Sequence, residues 1–122
     1  MSSEQYYVVS VRHTHKEHLY ITVWGPNNCG YRWALSGAGC YSEDLILNSL
    51  DYYNNGPNIA VPCSILDDIA IPPIKGHHDN DAGPCVENNK KNWQRILKAA
   101  IAPTKYPPQP KYKRVKKRKA VC

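Results

Sequence analysis

Three histidines fall within six residues, His13, His15 and His18 of HTHKEH, and a later stretch holds His77, His78, Asp79, Asp81 and Cys85. Together they include every side-chain type that a transition-metal site uses. No pair has the C-x-x-C or helical H-x-x-x-H pitch that makes ligands converge within one element, and a structural zinc needs four converging ligands. Exposed loop histidines account for the same residues, and no metal is assigned. DNDAG at 79–83 begins like a calcium loop, but the place of the later bidentate Glu is held by Lys90. Ser36-Gly37-Ala38-Gly39 lies between a strand and a helix, as phosphate-cradling loops do. The fuller G-x-G-x-x-G fails at Ser42, and Glu43 with Asp44 put negative charge where the phosphate would lie. Cys63 sits beside a predicted helix N-terminus, which lowers a thiol pKa. It also belongs to the apolar run IAVPC, where burial makes a thiol inert, and no His pairs with it. No catalytic residue and no cofactor follow from these groups.

Binding residues are easier to name. Residues 103–122 hold eight of the sixteen Lys and Arg and no acid, so this segment carries +8; eight basic and ten acidic residues leave −2 on the remainder, which returns the net +6. Seven of the cations, Lys111, Lys113, Arg114, Lys116, Lys117, Arg118 and Lys119, stand within nine positions and suit a phosphate backbone. A second candidate surface is one parity of the N-terminal strands, where Tyr6, Arg12, Tyr20, Thr22, Trp24 and Arg32 mix aromatic rings with cations. Such faces stack on unpaired bases while Arg neutralises phosphate. The plainer reading is that Tyr and Trp are ordinary strand residues with one wet edge, and that the basic terminus only solubilises.

The elements that must position these residues start with Gln5 to Leu35, which reads as three consecutive antiparallel strands. Tyr7, Val9, Val11, Leu19, Ile21, Val23, Tyr31, Trp33 and Leu35 occupy alternate positions and are expected to face the core. HTHKEH and GPNNCG supply the turns. Ser42 caps a first helix with Glu43 and Asp44 in its first turn; Ile46, Leu50 and Tyr53 form its apolar stripe and Asn55-Gly56-Pro57 stops it. IAVPC at 59–63 is a fourth strand or an anchor at the sheet edge, Pro62 excluding a central place. Ser64 with Asp67 resembles a capping box for a short helix that Pro72-Pro73 ends. After a long connection over 71–87, Asn88 or Asn89 caps a last helix whose buried face is Trp93, Ile96, Leu97, Ala100 and Ile101. Pro-rich 103–110 then reads as an extended spacer that cannot order itself.

The expected fold is α+β: a three- or four-stranded antiparallel sheet with two main helices packed on one face and a disordered basic C-terminal tail. Residues 1–102 form the single compact domain and 103–122 the tail. The 122-residue length suits one modest core. No apolar run is long enough to span a bilayer, and MSSEQYY lacks the blocks of a signal peptide, so a cytoplasmic protein is expected. Its five cysteines, an odd number without a C-x-x-C pair, read as free thiols, several of them buried.

VWGPNNCGYRWALSGAGCYSE, LDYYNNGPNIAVPCSILDDIAIPP and NDAGPCVENNKKNW, taken as a set, resemble a group of small proteins encoded by bacteriophages and prophages. The shared shape is a tryptophan-bearing strand, an Asn-Gly-Tyr turn, an Ala-Gly-aromatic step into a helix and a short valine-proline segment before a second helix. It covers roughly residues 6–102. The resemblance implies a mobile element in a bacterial host cytoplasm and carries over no catalytic residue. In that setting small proteins without active sites act by binding, for instance as anti-CRISPR-like inhibitors of host defence complexes. The reading is therefore a non-enzymatic accessory protein that binds a host protein or nucleoprotein complex, with the basic tail adding attachment to DNA or RNA. The alternatives are direct sequence-independent nucleic-acid binding, and a small metal-dependent enzyme or nucleotide-signal capture protein.

Overall fold

A computed structural model describes residues 4–72 and 83–113. The class is α+β, with a five-stranded antiparallel sheet and four α-helices. The strands are β1 (Gln5–Ser10), β2 (Val23–Trp24), β3 (Tyr31–Arg32), β4 (Tyr41–Ser42) and β5 (Asn58–Pro62). The helices are α1 (Glu43–Asn48), α2 (Leu50–Tyr53), α3 (Cys63–Ile69) and α4 (Lys90–Ala99). β1 is the hub. β5 pairs along it, from Tyr6 opposite Pro62 to Ser10 opposite Asn58, while β2 at Val9 and β4 at Gln5 and Tyr6 share its other edge. β3 continues outward from β2, with Trp24 opposite Tyr31.

The helices divide between the two faces of the sheet. Leu66 of α3 and Trp93 and Ile96 of α4 pack with Tyr7, Val9, Ile59 and Val61. Ile46 of α1 and Tyr53 of α2 pack with Tyr6, Val8, Trp24 and Ala60. A central strand covered on both sides has no wet face, which is why Tyr6 to Ser10 are all buried. Among the nine residues expected in the core, Leu19 and Tyr31 are exposed, at 45% and 48%, and Trp33 is half-buried. Leu19 falls outside any strand, and β3 is a two-residue strand at the end of the sheet with both residues exposed.

Local signals hold at two helix starts. Ser42 Oγ accepts from Leu45 N–H at 3.2 Å, and Asn89 Oδ1 accepts from Asn92 N–H at 2.9 Å. The first helix breaks at Ser49 (φ −145°) into α1 and α2, yet Ile46 and Tyr53 remain buried on one stripe. Ser64 caps nothing, because α3 begins one residue earlier, and Asp67 instead accepts the Tyr7 hydroxyl at 2.8 Å. On the last helix Leu97 is exposed. The long connection is pinched at its base, where Ile71 and Cys85 exchange backbone hydrogen bonds of 2.7 and 2.8 Å.

The outward-facing groups of β5 are all accounted for. Asn58 N–H donates to Asn55 Oδ1 and Ala60 N–H to Asn54 Oδ1; the Asn58 carbonyl accepts from Gly56 N–H and the Ala60 carbonyl from Ile101 N–H. Pro62 has no N–H to place. Asn54, itself buried, donates its amide to the Ala102 carbonyl.

Beyond the expected boundary at 102, residues 103–113 lie strapped to the body. Tyr106 N–H donates to the Asn55 carbonyl at 3.0 Å, and the Tyr106 carbonyl closes on Gly56, whose φ of +118° and lack of Cβ permit the approach. The Lys111 carbonyl accepts from Asn88 Nδ2 at 3.0 Å, Tyr112 packs against the first core, and Lys113 pairs with Glu17 at 3.1 Å. Backbone hydrogen bonds and one ring do what composition alone could not promise.

Candidate nucleic-acid interface

The HTHKEH turn is held by buried hydroxyls. Thr14 Oγ1 donates to the Ser10 carbonyl at 2.7 Å and accepts from Thr22 N–H at 3.0 Å, and Thr22 Oγ1 donates to the His13 carbonyl at 3.0 Å. Thr22 Oγ1 also accepts from the Trp33 indole at 3.1 Å. Ser10 Oγ accepts from His13 N–H and lies 3.1 Å from its Nδ1, so the ring is fixed where it stacks on Tyr31, centroids 4.2 Å apart. His18 Nδ1 accepts from His15 N–H at 3.1 Å, and its ring meets Trp33 edge-on at 5.3 Å. That contact requires an unprotonated Nδ1. Burial first, then the charge of His15, push the His18 pKa below its ordinary 6.5.

These side chains line a groove of about 310 Å³ whose walls are His13, Tyr31, Arg32, Trp33, His18 and Thr22. Its size is at the small end of ligand clefts, about 300–1,000 Å³. Arg32 lies along a channel that Gly30 and Gly37 leave open, with Gly25 at ordinary contact distance. A Cβ at Gly30, where φ is +79°, would stand 2.9 Å from Nη1, and those at Gly37 and Gly25 would stand 3.3 Å from Cδ and 3.4 Å from Cζ. Its Nη1 donates to the Tyr31 carbonyl at 3.1 Å, and among the described residues no carboxylate pairs with it.

Asn88 joins this groove to the C-terminal strap. Its Nδ2 points at the carbonyls of His15 (3.2 Å), His18 (3.1 Å) and Lys111 (3.0 Å). Lys111 and Lys113 are exposed there, beside the histidine turn.

The aromatic face read from strand parity is not a surface. Tyr6, Tyr20, Thr22 and Trp24 are buried, at 6%, 1%, 3% and 7%, so no base can stack on them. Trp24 sits edge-on to Tyr41 and Tyr52 in the second core. Arg12 and Arg32 are exposed but apart: Arg32 walls the groove, and Arg12 borders another between Pro57 and the strap residues Tyr106 and Lys111. Of the tail cations, Arg114, Lys116, Lys117, Arg118 and Lys119 lie outside the described residues. Sequence reasoning missed His13, His18, Tyr31 and Trp33 as one site. The available signal was Tyr31-Arg32-Trp33 between Gly30 and Gly37, an aromatic–cation–aromatic run bounded by glycines.

Among the described residues, no group of three His, Cys, Asp or Glu is placed to hold a metal ion. His77, His78, Asp79 and Asp81 lie outside them, and Cys85 is buried with Tyr20 and Ala34. Cys29, Cys40 and Cys63 are free thiols, and Cys85 is buried. Cys63 does open a helix, but burial and the adjacent Cys40 push its thiol up to about 12, opposite to what a nucleophile needs. No described helix is long and apolar enough to cross a membrane. The chain matches no protein-family model, no curated protein and no solved structure.

Proposed function

We propose that the protein is a non-enzymatic accessory factor of phage type that binds nucleic acid, free or within a host nucleoprotein complex, in the bacterial cytoplasm. The observation that supports it is the anchored first part of the cationic segment: Asn88 holds the Lys111 carbonyl and Glu17 pairs with Lys113, so two cations of the +8 segment stand at fixed places beside the histidine turn. Lys and Arg there meet phosphates and read no sequence. The phage-type setting rests on the sequence resemblance over residues 6–102.

The experiment is a fluorescence titration of a duplex with the full chain and with a chain ending at Lys113, at several salt concentrations. Seven phosphate contacts give a log–log salt slope of about −6 for the full chain, and removal of five cations reduces its magnitude by about 4–5. Equal affinities, or binding indifferent to salt, would refute the electrostatic role. Nuclease-resistant capture of a host complex, without binding to isolated nucleic acid, would move the assignment to a protein-directed inhibitor of host defence.

A further inference from the structure

We infer that the groove between the His13–Tyr31 stack and Trp33 receives one unpaired base of a single strand, with Arg32 on the adjoining phosphate. This rests on the nucleic-acid reading above and names the form of nucleic acid that the same surface takes.

Three observations carry it. First, the walls are flat rings set by fixed contacts: Tyr31 is 48% exposed while stacked on His13, and Trp33 is held through its indole by Thr22. Pre-positioned aromatic rings are what unpaired bases stack on, and a groove of about 310 Å³ admits a base only when it is out of a duplex. Second, both histidines commit Nδ1 within the protein, His13 to Ser10 and His18 to His15. Neutral His18 then carries its proton on Nε2, a donor for the heteroatoms of a base edge. Third, the cations are graded outward from the groove. Arg32 lies in its wall without a carboxylate partner among the described residues; Asn88 ties the Lys111 carbonyl to those of His15 and His18, and Lys113, paired with Glu17, follows on the same strap. A strand whose base enters the groove therefore has its next phosphates at the start of the basic segment.

The test uses the full chain and its Tyr31→Ala and Arg32→Gln variants, each checked for an unchanged melting temperature. Four probes are titrated at one moderate salt concentration: a 12-nucleotide thymidine strand, the same length with abasic sugars, a duplex, and thymidine monophosphate. Tyr31→Ala is expected to weaken the thymidine strand about 5- to 150-fold, the range for one lost stacked base. Its affinity for the duplex and the abasic strand should stay within about twofold, since these are gripped through phosphate alone. Arg32→Gln should lower the salt slope on the single strand by about 0.7, one phosphate contact. In amide and indole spectra the Trp33 indole should shift with the thymidine strand and stay in place with the abasic one.

Unchanged thymidine-strand affinity in Tyr31→Ala, or an equal loss on duplex and abasic strand, overturns the groove while leaving nucleic-acid binding intact. Monophosphate binding as tight as strand binding, and equally dependent on Tyr31, overturns the strand and makes the groove a free-nucleotide site. No binding to any polymer at low salt removes both this inference and the function it rests on.

Discussion

The buried indole of Trp93 donates to Asn88 Oδ1 at 2.6 Å, and that one contact orients an amide whose other end holds three backbone carbonyls. Asn88→Ala leaves a buried N–H without a partner, which costs about 1–3 kcal/mol, and also releases the histidine turn and the strap. The expected result is a lower urea midpoint together with faster amide exchange at His18 and Tyr106. Loss of stability without faster exchange at the strap would show that Asn88 serves the core alone.

Both Trp24 and Trp93 are core residues, at 7% and 1% exposure, so alanine at either should cost about 3–5 kcal/mol. Phenylalanine separates them. Trp24 Nε1 is buried without a hydrogen-bond partner among the described residues, so Trp24→Phe removes that unsatisfied donor, which offsets part of the lost ring volume. Trp93→Phe strands Asn88 Oδ1 and should cost more. Paired denaturant melts of the two variants decide it.

Shortening the C-terminus should act in two steps. A chain ending at Lys113 keeps every anchoring contact found among the described residues and should melt with the full chain. A chain ending at Ala102 loses the Tyr106 bond to Asn55, the Lys111 bond to Asn88 and the packing of Tyr112, and should lose about 1–3 kcal/mol. Equal melting of all three chains would mean that the strap adds nothing.

His18 makes stability depend on pH in a predictable direction. Its folded pKa is below 6.5, so the unfolded chain takes up the proton more readily. The contribution of the neutral ring is complete above pH 6.5, declines as pH falls below it, and levels off once pH is under the folded value. Urea midpoints measured from pH 8 to pH 5 should show this decline, and His18→Gln, which cannot titrate, should flatten it relative to the natural chain.

What the sequence disclosed was local. Caps at Ser42 and Asn89, the stripe of Ile46 and Tyr53, and the β3-β2-β1 order depend on neighbours a few residues away, and they were legible. Face assignment was not, because alternation presumes one wet side. The continuous apolar run Tyr6 to Val9 is the mark of a strand covered twice, and β2 and β3, at two residues each, are too short for parity to bind distant positions such as Leu19 and Tyr31. Of the six strand residues chosen for binding, only Arg32 and the buried Thr22 belong to the groove. The partners of Arg32 there come from a turn and an edge strand joined by Thr22 and Asn88, contacts between segments that no periodicity encodes.

The closed flank of β5 has a consequence for how the molecule behaves in a crowd. An open strand edge is adhesive, since its unpaired N–H and C=O groups template a strand from another chain. Here Asn54, Asn55, Gly56 and Ile101 occupy those groups in advance, and Pro62 ends the ladder with nothing to donate. Resistance to fibrous self-association on this side therefore resides in two asparagine amides: Asn54→Ala reopens the Ala60 N–H, and with it a foothold for a neighbouring molecule's strand.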